Sequence, residues 1–153
     1  MIIRPAKKDE VKKLQKLNAS VFEEDNPEYD ADLKPGWGLS EDGKKHFTDL
    51  LNEPQNCCFV AEDNRKMVGY ISAKPKHFDY RKSKYIEIDN LGVIAEYRKQ
   101  GIGRSLMDEC LKWAKNKGYQ KIFLVCFSKN KNALEFYKSY GFSDIYASLE
   151  RDI

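Results

Sequence analysis

The sequence has no Cys-x-x-Cys pair, and only two histidines, His46 and His77, accompany its four cysteines. That argues against a zinc site and against a disulfide framework, and it fits reduced thiols in a cytoplasmic protein. No apolar run approaches the roughly 20 residues that span a bilayer, so no membrane segment is expected. The opening residues Met1-Ile2-Ile3-Arg4-Pro5 lack the long apolar stretch of a signal peptide. Charge of one sign is also missing, with 27 Lys and Arg against 24 Asp and Glu. The lysines are scattered among acids rather than gathered on one surface, so no nucleic-acid partner is expected. No repeat, low-complexity segment or linker divides the 153 residues, which suit one globular domain over residues 1–153.

Periodicity supplies the elements. A short strand at 2–6 precedes a helix that Asp9 can cap and that runs to about Glu24, with Val11, Leu14, Leu17, Val21 and Phe22 at helical spacing. Residues 23–32 hold six acids and no base, and Pro27, Pro35, Gly36 and Gly38 mark the region as loop. Ser40, Gly43, Phe47, Leu50 and Leu51 suggest a second helix, stopped by Pro54. Residues 57–62 and 67–73 read as strands joined through Asp63-Asn64-Arg65. Residues 85–93 form a third strand in this group, with Glu87 and Asp89 on one face and Ile86 and Ile88 on the other. A strong helix at 101–117 follows, with Gly118 suited to end it. The apolar run 122–127 reads as a strand buried on both faces. Residues 130–140 form another helix, and 142–153 offer one or two short strands. The order is mixed α/β.

The most informative segment runs from Leu91-Gly92-Val93 through Arg98-Lys99-Gln100-Gly101-Ile102-Gly103 to Arg104-Ser105. A strand ends, the chain turns, and Gly101 opens a helix. The first amides of a helix lack intrahelical partners and the helix dipole favours an anion there. Glycine lets a phosphate approach that backbone. Leu106 stands where the third glycine of a dinucleotide fingerprint belongs, and no P-loop is present. On these residues alone the segment fits either a phosphate cradle or a helix that starts at glycine among surface cations. A second constellation, Asn130-x-x-Ala133-x-x-Phe136-Tyr137 closing at Gly141-Phe142, fits either the lining of a cleft or a set of core aromatics.

Together, in this order, the two motifs resemble the GNAT superfamily of N-acetyltransferases, and the element order agrees over nearly the whole chain. The resemblance implies a mostly antiparallel sheet of six to seven strands, splayed at the fourth and fifth and flanked by about four helices. It implies acetyl-CoA as cosubstrate and no metal. The pantetheine arm would lie along Leu91, Gly92 and Val93, where Gly92 permits a bulge. The pyrophosphate would sit against the turn Arg98 to Ser105, and Asn130 and Ala133 would touch the CoA arm. Tyr137 would protonate the leaving sulfur. Glu87 and Asp89 are the candidates to take the proton from the amine. The acidic loop would attract a cationic acceptor, either a small molecule or a peptide or protein amine, and Trp37 would help shape it. The resemblance also admits a homodimer. A non-catalytic acyl-CoA-binding module would carry the same two motifs.

Overall fold

The computed structural model describes residues 1–23 and 26–153. Strand β1 (Ile2–Pro5) leads to helix α1 (Val11–Phe22), a short helix α2 (Asn26–Tyr29) and helix α3 (Glu41–Asn52). Strands β2 (Cys57–Asp63), β3 (Lys66–Lys76) and β4 (Tyr85–Val93) follow. Helix α4 (Ile102–Asn116), strand β5 (Lys121–Leu124) and helix α5 (Lys131–Ser139) close the sequence of elements. Among the described residues the sheet has five strands in the order β1-β2-β3-β4-β5, antiparallel except for the parallel β4–β5 pair. The strands expected in 142–153 are not formed, and β5 stops at Leu124 rather than Phe127.

The turn chemistry explains the hairpin at the centre. Asp63 pairs with Lys66 across Asn64 and Arg65, and both have positive φ, the geometry of a two-residue turn whose twist matches that of the strands. β3 then runs through the middle of the molecule, buried from Val68 to Ala73. Its alternation assigns the two faces. A Cβ on Gly69 would meet Leu106 of α4, while the ring of its neighbour Tyr70 packs against Phe47 of α3 and the Tyr70 hydroxyl accepts a hydrogen bond from Asn18 of α1. Helix α4 therefore covers one face with Leu106, Met107, Cys110 and Ala114, and α1 and α3 cover the other with Leu14, Leu17, Val21, Phe47 and Leu50. None of the described helices is long and apolar enough to cross a membrane.

The start of α1 differs from the expectation. A 3-10 turn at Lys8–Glu10 precedes it, α1 itself begins without a side-chain cap, and the Glu10 carboxylate accepts the Lys7 N–H ahead of that turn. Glu10 is buried, accepts the Lys7 N–H, and forms a two-bond pair with Arg4, which also reaches Glu62 on β2. The hydrogen bonds from Arg4 hold the Glu10 carboxyl down at about 2, outweighing the opposite effect of burial. Since its folded value lies below the ordinary value of 4.5, this stabilisation is complete above about pH 4.5 and is lost as pH falls through 2. Glu10→Gln is expected to cost about 1.5–3 kcal/mol, the range for hydrogen bonds to charged groups. Urea titrations between pH 2 and 7 check this. The variant should lose part of the wild type's destabilisation below pH 4.5, and equal acid sensitivity would exclude the assignment.

Candidate active site

β4 and β5 pair only from Tyr85–Lys121 to Ile88–Leu124. Beyond that point β4 continues along β3 to Val93 while β5 ends, so the sheet opens into a cleft beside residues 89–93. Among the described residues, no strand lies opposite the backbone N–H and C=O groups on that side of β4, the kind of edge that an extended ligand can pair with.

The bend starts at Asp89. On β3, Ser72 pairs with Asn90 and the next residue, Ala73, pairs with Ile88, which leaves Asp89 as the extra residue of a bulge. A bulge interrupts the alternation of side chains. Glu87 and Asp89 both lie on the α1–α3 face, in ion pairs with Lys76 (3.4 Å) and Lys74 (2.8 Å), and Gly92 then lies on that face as well. The bulge expected at Leu91-Gly92 thus falls at Asp89, and Gly92 serves a different purpose. An added Cβ would lie 2.3 Å from Val21 Cγ1 and 3.1 Å from the Phe22 ring, so glycine is what allows α1 to lie against the end of β4.

Across the cleft, Lys99 and Gly101 both adopt left-handed backbone conformations and turn the chain into α4. The first amide-to-carbonyl bond of the helix runs from Ser105 to Gly101, so the N–H groups of Ile102, Gly103 and Arg104 have no partner within it. They are the unpartnered amides that the sequence predicts at this helix start. The cations around it have separate engagements. Arg98 donates from Nε to Val93 O (2.9 Å) and from Nη2 toward Val21 O (3.5 Å), bracing β4 to α1. Arg104 stacks over the Tyr140 ring at 5.1 Å, and the Tyr140 hydroxyl donates to Asp108. Gln100 donates to Glu96 O and the Ser105 hydroxyl to Gly101 O.

On α5, Asn130 is the cap. Its Oδ1 accepts the Ala133 N–H at 3.1 Å, which places these two residues together at the helix start. Tyr137 is half-buried, packed edge-on against Phe136 and Phe142. Burial, assisted by the thiol of Cys126 just past β5, pushes its hydroxyl up to about 12, and it keeps its proton at neutral pH.

Sequence reasoning missed the neighbours of Asp89. His46 Nε2 lies 2.9 Å from Asp89 Oδ2, without the alignment of a hydrogen bond. Trp37 packs edge-on against the His46 ring at 5.3 Å rather than over the acidic loop. Burial raises the Asp89 carboxyl, but His46 and Lys74 more than reverse this and hold it at about 2. A signal was present, because His46 falls on the helical stripe Gly43, Phe47 and Leu50 that buries α3. In the acidic loop, Glu24 and Asp25 lie outside the described residues. Tyr29 stacks on Phe127 at 6.1 Å and brings Asp30 and Asp32 to the wall of a cavity of about 1230 Å³ beside the end of β5.

Comparison with known proteins bears on this geometry. The model of the Acetyltransferase (GNAT) family matches residues 14–142. Human N-acetyltransferase 8 is 33% identical over 92 residues, which cover 60% of this chain and 40% of that protein. The chain thus spans about two fifths of the length of the curated relatives it matches. A tetramutant of the BH1408 protein from Bacillus halodurans superposes with a TM-score of 0.86 at 21% identity, covering all of both chains. An aminoglycoside acetyltransferase from an uncultured soil metagenomic sample gives 0.74 at 22% identity, over 99% of this chain and 95% of that one. At these identities the two structures are alike in fold.

The packing of Gly92 yields a test. Gly92→Ala is expected to destabilise by about 1–3 kcal/mol, the usual cost of overpacking, because Val21 is too stiff to yield. Thermal unfolding of the single variant and of Gly92→Ala with Val21→Ala checks the cause. If the second substitution restored nothing, the contact would not be the reason.

Proposed function

Because this chain belongs to the acetyltransferase (GNAT) family, we propose that it transfers the acetyl group of acetyl-CoA to a primary amine by direct attack in a ternary complex. The parting of β4 from β5 opposite the glycine-opened start of α4 carries this reading. An extended pantetheine arm fits the strand edge at Leu91, Gly92 and Val93, and a pyrophosphate fits the amides of Ile102, Gly103 and Arg104.

The amine must lose a proton before it attacks. Glu87, paired with Lys76 alone among the ion pairs of this face, is the acceptor of that proton through water. Asp89 remains charged at a carboxyl held near 2, which makes it a weak base and a steady attraction for a cation. As the amine nitrogen bonds to the acyl carbon, the carbonyl oxygen becomes an oxyanion, which a backbone N–H of 91–93 stabilises. The carbon–sulfur bond then breaks, and Tyr137 gives its proton to the departing thiolate. No acyl-enzyme forms. The acceptor is cationic, drawn by Glu28, Asp30 and Asp32 as well as Asp89.

Two measurements test this. At Gly103 an added Cβ would meet only the Phe136 ring at 3.8 Å, an ordinary contact. Gly103→Ala is therefore expected to keep its stability within about 0.5 kcal/mol while CoA binding by calorimetry weakens tenfold or more. Unchanged affinity would remove the pyrophosphate site. Thiol release with a panel of small, antibiotic and peptide amines tests transfer itself. With a working acceptor, Tyr137→Phe should lower kcat by about 10²–10⁴, the range for general acid catalysis, at unchanged acetyl-CoA affinity. Glu87→Gln should flatten the acidic limb of the pH–rate profile. CoA binding without thiol release across the panel would favour a binding module.

A further inference from the structure

Both carboxylate oxygens of Asp89 are occupied, and one occupant belongs to the residue type that changes charge near neutral pH. Lys74 Nζ lies 2.8 Å from Oδ1. Oδ2 accepts from the Asn90 side chain at 3.0 Å and has His46 Nε2 at 2.9 Å. The His46 ring is held from two sides, edge-on to Trp37 at 5.3 Å and to Phe47 at 5.1 Å. Phe47 is fully buried, so the ring has little room to turn away from Asp89. Nε2 is closed to solvent and, among the described residues, makes no hydrogen bond. The side chain as a whole is 23% exposed, so water reaches the ring away from Asp89 and can deliver a proton there.

The surrounding charges decide what that proton does. On this face Glu87 and Asp89 stand against Lys76 and Lys74. With His46 neutral the group is balanced, and a proton on His46 leaves it net positive. On α3 the acids within one turn of His46 are Asp42 and Asp49, both exposed, and Asp49 pairs with Lys45 at 2.5 Å. The 3-10 turn at Lys8–Glu10 also packs on α3, with Lys8 and Asp9 exposed and Glu10 engaged by Arg4. Gln15 of α1 donates to Gly38 O and Ser40 O and carries no charge. Burial keeps Cys58 of β2 and Tyr70 of β3 protonated. Asp30 and Asp32 line the cavity beside β5, whose walls do not include His46.

We propose that His46 is a positioning residue for the acceptor, acting through Asp89. When neutral it leaves a balanced group in which the acceptor ammonium can settle beside the Asp89 carboxylate. When protonated it competes for the same oxygen and repels the ammonium. This rests on the reading that the chain acetylates a cationic amine. A unit charge close to the ammonium changes affinity about tenfold or more at the effective dielectric of a protein surface. Acceptor binding therefore weakens as pH falls, separately from the proton transfer to Glu87 in the bound complex.

Steady-state kinetics between about pH 5 and 8 test this. The substrate is the amine of the panel that releases most thiol while staying an ammonium throughout. The wild-type acceptor KM is expected to rise about tenfold from the upper to the lower end, at unchanged acetyl-CoA affinity. His46→Gln, polar but unable to titrate, should hold that KM at its low value throughout. Glu87→Gln should lose the limb in kcat and keep the rise in KM. A side chain that only filled space would shift the kinetics alike at every pH. If His46→Gln failed to fold, Lys74→Gln would decide, because Lys74 is 43% exposed. Loss of its charge should lower the acceptor KM about tenfold at the acidic end, and an unchanged KM would count against the proposal. An acceptor KM that is flat in the wild type would overturn it, as would a rise that survives His46→Gln, with transfer itself still standing. Thiol release with none of the amines would remove the transfer reading and this proposal together.

Discussion

Everything in the cleft depends on one interruption of backbone hydrogen bonding. Strands in a sheet must share their N–H and C=O groups with a neighbour, with water or with a ligand. β4 keeps its bonds to β3 through the bulge at Asp89, whereas its bonds to β5 cease after Ile88. The bulge increases the twist and bends β4 away. The groups left unpaired are therefore backbone, fixed by a buried central strand on the far side. They do not depend on a flexible side chain for their position.

The charges around the bulge follow from the same event. Because the bulge shifts the alternation, Glu87, Asp89 and Gly92 share one face, although regular alternation would put Gly92 on the other. Two carboxylates there meet Lys74, Lys76 and His46. Asp89 meets Lys74 and His46, which hold its carboxyl at about 2, and Glu87 meets Lys76.

Much of this was legible in the sequence, because it rested on local rules. Gly101 and Gly118 bound α4 at positive φ, Asn64 and Arg65 make the hairpin, and Ser40 caps α3 through Gly43 N–H. The site was less legible wherever it depended on contacts between distant residues. The position of the bulge is a matter of β3–β4 register. The brace from Arg98 to Val93 and Val21 depends on how α1 lies over β4. Asn130 was visible as a polar residue before a helix, but its use as a cap for Ala133 depends on the local backbone turn. The apolar run at 122–127 had the composition of an interior strand, and the chain places it at an edge.

The order of the strands also has a kinetic meaning. β2, β3 and β4 are consecutive hairpin neighbours, the first two joined by a two-residue turn. β5 reaches β4 only after the chain has passed through the whole of α4, and it is held there by the register from Tyr85–Lys121 to Ile88–Leu124. Long-range parallel pairing is slow to form, and a short seam is among the first to breathe. Amide exchange along Lys121–Leu124 would accordingly report the health of the cleft earlier than any signal from the core.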